Sequence, residues 1–125
     1  VVYVPAVTGS KSYGTPQFGV GASAFMGQVS GVWRFGTAVG SILTGGAATV
    51  GAHVLCGVAD GANSRLLVDG AVVAAGTMAA ASATRIITGY AGDGTTVAAC
   101  AISLVGLYAG DFTDDAAYDD FMGWV

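Results

Sequence analysis

Glutamate is absent from the 125 residues, lysine occurs only at Lys11 and histidine only at His53. Glutamate and lysine are the usual residues of exposed helix faces, so their scarcity points to strands surfaced with Thr, Ser, Gly and Ala. Basic charge is equally thin. Lys11, Arg34, Arg65 and Arg85 stand against eight aspartates, a formal net charge of −4. No basic patch can form from four residues, which argues against nucleic acid as a partner. Two cysteines, Cys56 and Cys100, are too few for a disulfide framework. Each sits in a strand-like apolar run and reads as a small buried hydrophobe, with pairing between them left open. Hydrophobic residues make up 54%, yet long uncharged stretches such as Phe35 to Ala59 are broken by Gly, Thr, Ser or His53. A spanning helix needs about 20 predominantly apolar residues, so no membrane span is expected. No basic and apolar leader precedes Val1, and the chain reads as a processed or excised form without targeting information.

The sequence does contain regular turn punctuation. Residues 53–58 (HVLCGV), 64–68 (SRLLV) and 71–75 (AVVAA) are strand-like runs separated by Asp60-Gly-Ala-Asn63 and by Asp69-Gly70. An Asp-Gly pair between strands predicts a type I′ hairpin, because both central residues need positive φ, which Asp tolerates and Gly adopts freely. The three runs therefore predict a meander, with Val54, Cys56 and Val58 on one face and with Leu66 and Val68 opposed to Arg65, Leu67 and Asp69. One face of that sheet is expected to be core. Further strands are expected at Val1 to Val7, Phe18 to Val29 with a break at a glycine, Val32 to Gly36, Ser41 to Val50, Thr84 to Tyr90 and Val97 to Tyr108. Turn signals about every ten residues suit a sandwich or barrel. In the last run both faces are apolar or small, the pattern of a central strand. The fold class expected is all-β, an antiparallel β-sandwich over residues 1–125 as a single domain, a length at which roughly two-thirds of the unfolded surface can be buried.

The tail departs from this pattern. Thr113 is a helix N-cap candidate, Asp114 and Asp115 follow where the helix dipole favours negative charge, and Ala117, Phe121 and Trp124 recur at i, i+4 and i+7. One short amphipathic C-terminal α-helix is expected from Asp114 to Trp124, stabilised by burying Phe121 and Trp124.

Two blocks carry a resemblance to a known family. The first runs His53-Val-Leu-Cys-Gly-Val-Ala-Asp60-Gly and continues with Ser64-Arg-Leu-Leu-Val-Asp69-Gly70. The second is Ala101-Ile-Ser-Leu-Val-Gly-Leu-Tyr108-Ala-Gly-Asp-Phe-Thr113-Asp114 before the expected helix. Together they resemble the laminin-G-like, concanavalin A-like jelly roll over residues 50–125. Where that family often carries an acid after Ile-Ala or Ile-Asp, this chain has Ser103 and Leu104. The resemblance implies a jelly-roll sandwich and, for a histidine opening a strand, a structural role for His53.

Catalytic chemistry finds little support in the residues. Glycoside hydrolases of this fold use clustered carboxylates, usually glutamates, because retaining chemistry needs two carboxyl groups about 5 Å apart. Here the acids are aspartates at turns (Asp60, Asp69, Asp93) or around the tail (Asp111, Asp114, Asp115, Asp119, Asp120), where turn and capping roles account for them. A nucleophilic triad would have to use His53, and no Gly-x-Ser-x-Gly elbow occurs. Gly19-Val-Gly21-Ala-Ser-Ala24 imitates a dinucleotide fingerprint without the helix that must follow it. No Cys/His cluster has zinc spacing. Calcium is the one metal suggested, since related domains bind it at the sandwich rim through aspartates. Asp93 in Gly92-Asp93-Gly94-Thr95-Thr96 and Asp60 are the candidate ligands, but two carboxylates alone make a poor site and no cofactor is expected. Sugar binding would use exposed aromatic faces, for which Tyr13, Trp33 and Tyr90 are the candidates. Alternation in Val32-Trp33-Arg34-Phe35 puts Trp33 and Phe35 on one face, which favours the core for Trp33.

The expectation is a non-catalytic structural or adhesion module of a larger assembly, such as a phage capsid-decoration, tail or fibre domain, acting in the virion or outside the cell. Its partners would be copies of itself, other subunits or a glycan. The second reading is a lectin-like carbohydrate-binding module of a secreted protein. Scarce charge and abundant Ala, Gly and Thr favour the assembly, because small uncharged residues let neighbours approach closely.

Overall fold

The computed structural model describes residues 2–4, 10–18, 22–37, 41–78, 85–88 and 101–102. They form eleven strands: β1 (Val2–Val4), β2 (Ser10–Phe18), β3 (Ala22–Val29), β4 (Val32–Thr37), β5 (Ile42–Ala47), β6 (Gly51–His53), β7 (Leu55–Val58), β8 (Ser64–Val68), β9 (Ala71–Gly76), β10 (Arg85–Thr88) and β11 (Ala101–Ile102). One 3₁₀ turn, Gly61–Asn63, joins β7 to β8, and no α-helix occurs among the described residues. The strands make three antiparallel sheets, ordered β11-β1-β6, β10-β2-β3-β4-β5 and β7-β8-β9. The all-β expectation holds at this level. The expected helix from Asp114 to Trp124 and most of the strand expected at Val97 to Tyr108 lie outside the described residues.

Each hairpin follows from local chemistry. Asp69 and Gly70 have φ of 52° and 81°, the two positive values of the expected type I′ turn. Ser30 and Gly31 repeat the same pair of values between β3 and β4. Alternation then sorts the side chains. On β4, Trp33 and Phe35 are buried while Arg34 between them is only partly so; on β8, Leu66 and Val68 face the same core. Val2, Val4, Leu43 and Met78 complete that cluster, so all three sheets contribute to one core. At about 25 cal/mol per Å² of apolar surface removed from water, this cluster is the main stabilising element of the described fold. Missing Cβ atoms set the spacing within it. A Cβ on Gly57 would lie 2.8 to 2.9 Å from three ring atoms of Phe35, and one on Gly45 would lie 2.8 Å from Val73 Cγ2.

Three expectations change. Residues 10–18 (SKSYGTPQF) form β2, which polar composition and Pro16 concealed. Pro16 has a registered partner, Ile86, on the β10 side, while pairing with β3 lapses between Gly14 and Gln17, so its missing N–H removes no pair there. The run from His53 to Val58 is two strands rather than one: β6 pairs with β1, β7 pairs with β8, and the chain changes sheets at Val54. The meander is thus β7-β8-β9 without His53. Finally, the sheet is not apolar on its inner face alone. Leu67, pointing away from the main core, is only 4% exposed and forms a second cluster with Val58, against which Cys56 packs.

Candidate functional site

The switch of sheets at Val54 leaves a backbone N–H and C=O that a continuous ladder would have paired. Asp69, at the tip of the β8–β9 hairpin, takes both. Its N–H donates to Val54 O at 2.9 Å, and its Oδ1 accepts from Val54 N–H at 2.8 Å. The register makes this unavoidable, because Leu55 opposite Val68 sets Val54 against Asp69. The second carboxylate oxygen, Oδ2, lies 2.8 Å from His53 Nδ1. The other ring nitrogen, Nε2, lies 3.1 Å from Thr49 Oγ1 and 3.1 Å from the Thr49 carbonyl oxygen. Trp33 closes the inner side, its ring 5.2 Å from the imidazole at 70° between planes. The His53 side chain is 11% exposed and that of Asp69 52%.

A hydroxyl, an imidazole and a carboxylate in this order are the parts of a nucleophilic triad. The contact with the Thr49 carbonyl points another way. That oxygen can only accept, so whenever Nε2 carries a hydrogen it donates to the carbonyl and has no lone pair with which to take a proton from the Thr49 hydroxyl. The arrangement ties three backbone segments, around residues 49, 54 and 69, through one ring and one carboxylate. No family model, no curated protein and no solved structure matches this chain.

The candidates singled out by residue type are placed differently. Trp33 is 3% exposed, within the core, and offers no open ring face for a sugar. Asp60 is exposed and precedes the 3₁₀ turn, but its side chain makes no capping bond. That turn is held instead by Ser64, whose Oγ accepts from Asp60 N–H at 2.9 Å and donates to Gly61 O at 2.8 Å. Among the described residues no group of three or more His, Cys, Asp or Glu is placed to hold a metal. Tyr13 lies on β2 with its side chain outside the description, and Tyr90, Asp93 and Cys100 lie outside the described residues. Among the described residues no helix is long and apolar enough to cross a membrane. The Thr49, His53 and Asp69 cluster was missed because each residue has a sufficient local reading, as loop, strand opener and turn. The signal that finds it is the hairpin register.

Proposed function

We infer that the chain is a non-catalytic structural or adhesion module of a larger assembly, of the kind found in phage capsid-decoration, tail or fibre domains, and built as a concanavalin A-like sandwich. One observation carries this reading. Strands β5 (ILTGGA) and β9 (AVVAAG) each have one registered neighbour among the described strands, and their twelve residues include no charge and no proline. Ile42 on β5 is 47% exposed, Val72 on β9 54%, and Val50 beyond β5 60%. Both strands carry a register irregularity against their inner neighbours and approach each other where Gly45 meets Val73, so what they leave for a partner is exposed apolar side chains without the Lys or Pro that usually guards such a surface. The bonding of His53 supports a structural use of the only histidine.

Sedimentation of the wild-type chain at high micromolar concentration tests the reading. The expected result is self-association that Ile42→Lys with Val72→Lys abolishes while the far-ultraviolet dichroism stays unchanged. A wild-type chain that sediments as a monomer and binds glycans on an array would move the assignment to the lectin-like module. Esterase or glycosidase turnover abolished by His53→Gln would overturn the non-catalytic reading.

A further inference from the structure

The outward face of the five-stranded sheet holds a base without an acid. Register carries Phe25 and Val29 on β3, Val32 and Arg34 on β4, and Ile42 and Thr44 on β5 to the side opposite Trp33, Phe35 and Leu43. Phe25, Val29 and Val32 are half-buried and Ile42 and Thr44 are exposed, so this face meets solvent around Arg34. Arg34 itself is partly exposed, yet its Nε is shut off from water and makes no hydrogen bond. Among the described residues no carboxylate lies within ion-pair distance of it.

The same chain carries the converse. Asp60 is exposed ahead of the 3₁₀ turn and its carboxylate caps nothing, because Ser64 does the fastening there. Asp69, by contrast, is engaged with Val54 and His53. A guanidinium with one nitrogen already out of water attracts an anion more strongly than one fully solvated, since the effective dielectric around it is lower. Its planar fork also fits a carboxylate. With a net charge of −4, copies of the chain repel one another unless a base and an acid are matched across the contact. Ile42, diagonal to Arg34 across the β4–β5 pair, adds the exposed apolar area that a lone surface ion pair lacks.

We propose that Asp60 of one copy of the chain docks on Arg34 of the next, with Ile42 beside the contact; this rests on the self-association inferred above and names the surface that mediates it. The two patches differ, so the contact is head-to-tail. Repeated from copy to copy, it closes a ring or extends a filament.

Exchange of the two charges tests this in the full chain. Arg34→Asp and Asp60→Arg each set like charges across the contact, so either variant alone should need at least about tenfold more protein than wild type to associate in sedimentation. An equimolar mixture should recover association, because Asp60 of the first variant meets Arg34 of the second and the introduced arginine meets the introduced aspartate. Far-ultraviolet dichroism shows that each variant is folded. A folded variant that associates as wild type does, or a mixture of two folded variants that stays monomeric, would overturn the Asp60 to Arg34 contact while leaving self-association standing. A wild-type chain that is monomeric at high micromolar concentration overturns both. If Arg34→Asp does not fold, Asp60→Arg decides alone.

Discussion

The turns at Ser30-Gly31 and Asp69-Gly70 share a backbone, with φ of 52° and 81° in each, but they are fastened in opposite ways. The first is held from its flanks. Gly31 N–H donates to Gln28 Oε1 at 3.2 Å, Ala48 N–H donates to Gly31 O at 2.8 Å, and neither bond uses the Ser30 side chain. The second is held by its own residue, since the Asp69 carboxylate takes Val54 N–H and His53. The conformation of such a turn is thus written in its two central residues, whereas its structural reach depends on which side chain occupies the first of them.

The comparison can be broken or sharpened by substitution. The largest effect is expected at the glycines, where Gly31→Val and Gly70→Val both force a β-branched residue to positive φ and should each cost about 1–3 kcal/mol in urea unfolding. Midpoints that differ widely between the two would show that the turns are not equivalent backbones. A smaller loss follows from Asp69→Asn, which keeps a carbonyl oxygen for Val54 N–H but replaces the anion facing His53, at about 1 kcal/mol. Hydrogen exchange at Val54 should stay slow in that variant and accelerate in Asp69→Ala. The smallest effect belongs to Ser30→Asn: asparagine tolerates left-handed φ better than serine, and a gain below about 0.5 kcal/mol is expected. A loss as large as that of Asp69→Asn would mean that Ser30 also holds the turn by its side chain.

What the sequence discloses follows the same division between local and distant causes. The Asp69-Gly70 turn, the β7-β8-β9 meander and the inward pointing of Trp33 and Phe35 are all legible, because each depends on two-residue periodicity or on a turn dipeptide. Strand β2 is not, since Ser, Lys, Gly, Pro and Gln have weak strand propensity and pairing with β3 and β10 supplies what the residues lack. Nor is the break at Val54, for an apolar run looks the same whether one sheet or two receive it. The candidate cluster is half legible: His53 and Asp69 each stand out in the sequence, and only the pairing of Leu55 with Val68 brings them together. The burial of Leu67 could not be read at all, because a leucine beside an arginine on an alternating strand looks like an exposed one.

The contact between Phe35 and the bare backbone of Gly57 has a kinetic consequence. Phe35 is 2% exposed, and three of its ring carbons occupy the volume where another residue would carry its Cβ. A half-turn of that ring about its axis sweeps a space the packed strands do not leave open, so β4 and β7 must part briefly for each rotation. The flipping rate of one aromatic ring, read from its resonance line shapes, is therefore a clock for the breathing of the two sheets.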